Sequence, residues 1–200
     1  MTIPLAPRPE STAPGTCGWA ALDHDAKRER LLQAAGEVFA TQGLDASMPS
    51  VAAAAGAGVA SVYRQFSSKR ELLAALVASR LDQITAAAGV ACRRQDDHWS
   101  ALVEMLWTIV EQQSCDDFLG DARVAVADHP AVRRATDRTS RSLDRLLDAA
   151  RAEGSLRADA TTLDLKLLFA ATRAAKQLEP TAWPRMLELL IDSLRRTVPT

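Results

Sequence analysis

The Ser61 hydroxyl, the Arg64 guanidinium and the Gln65 amide lie close together in the chain. All three are hydrogen-bonding groups of the kind that read base edges in a DNA groove. Val59 and Ala60 just before them are small apolar partners for thymine methyl groups. This is recognition chemistry. Catalysis needs a nucleophile with its base, a metal cluster or a cofactor loop. His24, His98 and His129 are dispersed without ligand spacing. Gly56-Ala57-Gly58 lacks the third glycine and the preceding strand of a dinucleotide loop. Cys17, Cys92 and Cys115 are odd in number and form no CxxC pair, which argues against a disulfide framework or a zinc site. The expectation is a binding protein and not an enzyme, with no cofactor and no metal.

A recognition face of this kind must sit on a short helix held by its neighbours. Leu31, Ala35, Val38 and Phe39 recur at helical spacing from about Ala26, and Gly43 stands just past that helix's end. Ser47 occupies an N-cap position, with Pro49 in the first turn of a second helix that carries Val51, Ala52 and Ala55. Gly56 marks a turn whose positive φ only glycine adopts without a Cβ penalty, and Ala57 is small enough to tuck beneath it. A third short helix spans roughly 59–65, with Val62 and Phe66 turned inward. Ser67-Ser68 caps a fourth, from Lys69 to about Ala88. A supporting helix followed by two short helices across a glycine turn is a helix-turn-helix. The outer face of its last helix is what enters a major groove.

The run Arg30-Leu31-Leu32-Gln33-Ala34-Ala35, then Phe39, Gly43, Ser47-Met48, Val51-Ala52, Ala55-Gly56, Val62-Tyr63-Arg64-Gln65-Phe66 and Ser68-Lys69-Arg70-Glu71-Leu72-Leu73 resembles the N-terminal DNA-binding domain of the tetracycline-repressor (TetR) family. The resemblance implies backbone-phosphate contacts from Ser47, Tyr63 and Lys69. It places Val59, Ala60 and Ser61 at base-reading positions and Gln65 where a histidine is common. Ala60 replaces a frequent glycine or proline and Val59 a frequent polar residue, so readout shifts toward thymine methyls, with Ser61, Arg64 and Gln65 as the polar reach. The family resemblance further implies a homodimeric regulator on a palindromic double-stranded operator, usually a repressor, released by a small effector bound in the C-terminal domain.

The rest of the chain reads as helices too: about 99–113, 117–127, 130–153, 161–178 and 182–196. The first of these has apolar residues all round and is expected to be central. No segment shows sustained alternation, so no sheet is expected. The fold class is all-α with about nine helices. The expected division is a flexible leader over 1–24, a helix-turn-helix domain over 25–70, and an effector-binding and dimerisation domain over 71–200. The narrow stripe Trp183, Leu187, Leu190, Ile191 and Leu194, with Leu167, Ala170, Ala171 and Ala174, is the expected dimer surface. Met105, Trp107, Phe118, Leu119, Arg123, Phe169 and Arg173 are the candidate pocket residues, and their apolar bias suggests an apolar or aromatic effector.

Composition agrees with this reading. The 200 residues are 48% hydrophobic and 24% charged with net charge −1, which excludes an indiscriminate polycation. Roughly one residue in five is alanine, a helix former. No run reaches the ~20 apolar residues of a membrane span, and the N-terminus lacks a signal pattern, so a cytoplasmic protein without membrane contact is expected. Residues 26–73 carry six basic against four acidic side chains, a modest excess that two copies and their helix N-termini would reinforce. Two other readings stand beside the regulator: a thiol sensor using Cys92 or Cys115, and a helical adaptor without DNA binding.

Overall fold

The computed structural model describes residues 19–94, 97–113 and 118–196. The expected leader falls mostly outside these, as do Cys17 and Cys115. Its last part is described: Trp19–Ala21 form a 3-10 turn, and Trp19 packs on the first core. Nine α-helices follow among the described residues, with no strand. Helix α1 spans His24–Gln42, α2 Met48–Ala55, α3 Val59–Gln65, α4 Lys69–Ala91, α5 His98–Gln113, α6 Leu119–Ala125, α7 Pro130–Ala152, α8 Thr162–Leu178 and α9 Trp183–Leu194. One isolated antiparallel bridge, Leu156 to Arg195, ties the α7–α8 turn to the end of α9.

The helices begin where side chains satisfy their free amides. Asp23 accepts from the Ala26 amide at 2.8 Å, so α1 starts two residues before its apolar periodicity does. Ser47 accepts from the Ser50 amide at 3.2 Å at the start of α2. Ser68 accepts from the Glu71 amide at 3.2 Å at the start of α4. Thr161 and Asp164 form a reciprocal capping box on α8. Helix α4 continues to Ala91, three residues past the expected end, because Ala88 and Ala91 are buried against the second core.

Two apolar cores result. The first gathers Leu31, Phe39, Val51, Val62, Phe66 and Leu72 from α1 to α4, all almost fully buried. It does not end at residue 70. Leu76, Val77 and Leu81 of α4 join it, and so do Phe118, Ala122, Val126, Val132 and Ala135 from the region of α6 and early α7. The second holds Leu102, Leu106, Leu146, Leu147, Leu156, Leu165 and Leu187. Helix α5 contributes to it but keeps a solvent edge at Glu104, Thr108 and Glu111, so it is not surrounded on all sides.

Helices α4 and α7 serve both cores and bind them together. The Arg138 guanidinium meets Asp82 at 2.6 Å. Thr85 and Thr139 hydroxyls lie 2.9 Å apart, and Ser142 donates to the Thr85 carbonyl at 3.3 Å. These pairings advance together along both helices, so α4 and α7 run side by side in the same direction. Thr139 also donates to the Leu81 carbonyl at 3.0 Å. By length and mean hydropathy α4 could cross a membrane. Its apolar side is instead occupied by the two cores, and Arg80 and Asp82 interrupt it.

Phe39 is 1% exposed and its ring lies 5.8 Å from that of Phe118. Phe39→Ala is expected to destabilise the chain by about 3–5 kcal/mol, seen as a lowered urea midpoint. A loss below about 1 kcal/mol would mean the ring is not a core element.

Candidate nucleic-acid interface and effector cavity

The helix-turn-helix is built around one backbone requirement. Gly56 has φ 65° and ψ 31°, left-handed values that let the Ala57 amide reach the Ala52 carbonyl at 2.9 Å. A Cβ there would also lie 3.4 Å from the Arg30 guanidinium. Helix α3 leaves this turn with Val62 wholly buried and Phe66 wholly buried at its C-cap. Those two anchors orient the opposite face outward. Val59 is 41% and Tyr63 50% exposed, and Ala60 and Arg64 are exposed as well.

The polar residues of that face differ in their freedom. Arg64 folds back on its own helix and donates to the Ser61 hydroxyl at 2.5 Å. Gln65 is half-buried, and its side-chain oxygen is buried without a hydrogen-bond partner among the described residues. Ser47 is exposed at the start of α2. Lys69 opens α4, half-buried, with its ammonium 6.0 Å above the Phe39 ring. Ser67 donates to Glu71 through its amide at 2.7 Å and its hydroxyl at 2.6 Å. Those two bonds hold the Glu71 carboxyl below its ordinary range.

The first core is clasped to α6. Arg70 donates to the Ala125 carbonyl at 3.1 Å and pairs with Asp128 at 2.5 Å. That guanidinium holds the Asp128 carboxyl below the usual carboxylate range. With Phe118, Ala122 and Val126 buried in the first core, α6 turns its other side to a cavity of about 250 Å³.

Leu119, Gly120 and Arg123 of α6 line this cavity, facing Val77, Arg80, Leu81 and Ile84 of α4. Lys166, Phe169, Ala170, Thr172, Arg173 and Lys176 of α8 close another side, with Val110 and Trp183 completing it. Of the expected pocket residues, Leu119, Arg123, Phe169 and Arg173 come together here. Met105, Trp107 and Phe118 do not. Met105 is buried in the second core and Phe118 in the first. The Trp107 ring instead packs against Trp183 at 5.8 Å. The basic members Arg80, Lys166 and Lys176 were not among the expected residues, although Lys166, Phe169, Arg173 and Lys176 follow the helical spacing of one face of α8.

The expected dimer stripe divides between two environments. Leu187, Ile191 and Leu194 are at most 6% exposed and belong to the chain's own second core. Trp183 and Leu190 pack against that core. Leu167 is 58% exposed, and Ala170 and Ala174 are exposed, with Ala171 half-buried. Leu163, Leu178 and Leu189, outside the expected set, are 61%, 89% and 48% exposed. The three- and four-residue periodicity of α9 thus marks an internal seam. Periodicity alone does not tell that seam from an intermolecular one.

Cys92 is half-buried, and burial raises its thiol pKa, away from the reactive thiolate. His98 pairs with Glu153, and His129 caps α7. Among the described residues no group of His, Cys, Asp or Glu is placed to hold a metal ion.

Comparison with known proteins agrees with this architecture. Residues 31–76 match the family described as bacterial regulatory proteins, tetR family. Residues 97–196 match the C-terminal domain described as transcriptional regulator SbtR-like. A TetR transcription regulatory protein from Mycobacterium vanbaalenii is 28% identical at TM-score 0.64, over 85% of this chain and 95% of that one. A TetR transcriptional regulator from Streptomyces coelicolor shares the fold at TM-score 0.67 and 24% identity, over 86% and 99%. The repressor of the Stenotrophomonas maltophilia multidrug efflux pump SmeDEF shares it at TM-score 0.60 and 23% identity, over 86% and 96%. No curated protein matches the chain.

The Glu71 turn is expected to be acid-sensitive. A carboxyl whose folded pKa lies below its ordinary 4.5 stabilises the fold above that value, and the contribution disappears as pH falls through the folded pKa. Glu71→Gln is therefore expected to be less stable than the parent at pH 7, with the gap closing on acidification. Urea midpoints taken down to pH 3 check this, and a gap that persists unchanged would refute the linkage.

Proposed function

The chain belongs to the TetR family of bacterial regulatory proteins, and from that premise we propose a homodimeric repressor, released from a palindromic operator when a small molecule enters the cavity behind α6. It is a DNA-binding transcription regulator by its family. The finer reading is carried by the double engagement of α6. One side of this helix lies in the core that supports α3, and the other forms a wall of the cavity. A ligand that moves Leu119 or Arg123 therefore also loads Phe118, Ala122 and the Arg70 clasp. Binding would shift the population toward dimers whose two α3 helices no longer match half-sites ~34 Å apart.

On the operator, Tyr63 and Lys69 are the proposed phosphate contacts, with Ser47 at the head of α2. Val59, Ala60, Ser61, Arg64 and Gln65 are the proposed groove face. Arg64 must release Ser61 to reach a base, and Gln65 has limited reach because its amide is half-buried. Selection from random duplexes is expected to return a palindrome. Lys69→Ala is expected to weaken binding to all sequences and to reduce the slope of log K against log salt by about 1 per half-site. Arg64→Ala is expected to relax preference at one base pair. A well-folded dimer that enriches nothing at low salt would favour the adaptor reading.

For the dimer, the exposed stripe Leu163, Leu167, Ala170, Ala174 and Leu178 of α8 supports pairing with a second copy, and Leu189 extends it on α9. Small residues at 170 and 174 allow close approach of helices. Leu167→Asp is expected to give a folded monomer by sedimentation. Ile191→Asp is expected instead to unfold the chain, because it puts a charge in the second core. A folded dimer from Leu167→Asp would move the interface elsewhere.

A further inference from the structure

We propose that the cavity behind α6 takes an amphipathic anion, a carboxylate or phosphate head carrying an apolar tail. This rests on the cavity being the effector site. Five cations line it, Arg80, Arg123, Lys166, Arg173 and Lys176, and its described lining contains no Asp or Glu. Arg80 and Lys176 already have partners. Arg123, Lys166 and Arg173 make no ion pair among the described residues. They come from two helices, α6 and α8, that converge on the same space.

The Arg173 side chain reaches across to α6. Its guanidinium lies against Gly120, where a Cβ would come within 1.4 Å of one terminal nitrogen and 2.2 Å of the central carbon. A side chain at 120 would displace the planar group from that place. A guanidinium so positioned offers the paired donors that a carboxylate or phosphate accepts. The rest of the wall is apolar. Val77, Leu81, Ile84, Phe169 and Trp183 cannot bond a polar ligand body, but they can bury a hydrocarbon chain. Arg123 and Lys166 are exposed at the rim and Arg173 is half-buried, and a neutral apolar effector would gain nothing from any of these charges. A cationic one would meet like charge.

Trp183 in the wall gives a direct signal. Tryptophan fluorescence of the full chain is titrated with decanoate, decyl phosphate, decanol and decyltrimethylammonium, each below its micelle threshold. Decanoate or decyl phosphate is expected to bind about tenfold or more tighter than decanol, and the better of the two identifies the head group. Arg173→Ala and Gly120→Ala, each checked for unchanged circular dichroism, are expected to erase that preference while decanol affinity is kept. Arg123→Ala is the second variant should either of these misfold. Decanol equal to or tighter than both anions overturns the anion assignment and leaves the cavity as the ligand site. Preferred binding of the cationic amphiphile likewise overturns it. Failure of all four probes overturns both the assignment and the effector-site reading beneath it.

Discussion

Helix α6 is seven residues long, too short to persist by its own hydrogen bonds. It is a helix because the first core and Arg70 hold it. Phe118 at its N-cap packs on Phe39, Ala122 and Val126 fill the first core, and Arg70 grips the turn that follows. Removing these supports would free α6 and open the wall of the cavity together with the base of the helix-turn-helix. The arrangement of both functional regions depends on this one element, packed into the first core on one side and forming the cavity wall on the other.

The long seam between α4 and α7 does the complementary work. A mainly apolar seam can slide, because dispersion contacts have little directional preference. This one carries the Thr85, Thr139 and Ser142 hydroxyls and the Asp82–Arg138 pair. Those bonds favour one register of two parallel helices. Helix α4 starts at the proposed DNA surface, lines the cavity in its middle and ends in the second core. A fixed register lets a displacement at Ile84 or Arg80 be felt at Lys69 rather than dissipate as slippage.

Electrostatics separate the two surfaces more than net charge suggests. The chain is almost neutral overall. Its cations are nevertheless grouped: Arg64 and Lys69 near the recognition helix, and Arg123, Lys166 and Arg173 at the cavity. Among the acids nearby, Glu71 is engaged with Ser67 and Asp128 with Arg70. A composition near zero charge is therefore compatible with two sites that both favour anions.

The helix-turn-helix was legible from residue order because every requirement on it is local. A cap, a glycine in left-handed conformation and an inward pair at Val62 and Phe66 are set by neighbours a few positions away, and the boundaries of α2 and α3 followed. The all-helical class followed from periodicity for the same reason. Partners distant in the chain were not legible. Phe118 looked like a pocket residue until α6 was seen to lie against Phe39. Leu187, Ile191 and Leu194 have the spacing of a helix–helix seam, and in the single chain they are buried in its own second core. The basic lining of the cavity joins α4, α6 and α8, so no single stretch displays it. Sequence by itself determined which faces of most helices are apolar and roughly where each helix begins. Only the tertiary structure decided which face meets which, because burial is settled by long-range packing that local spacing does not encode.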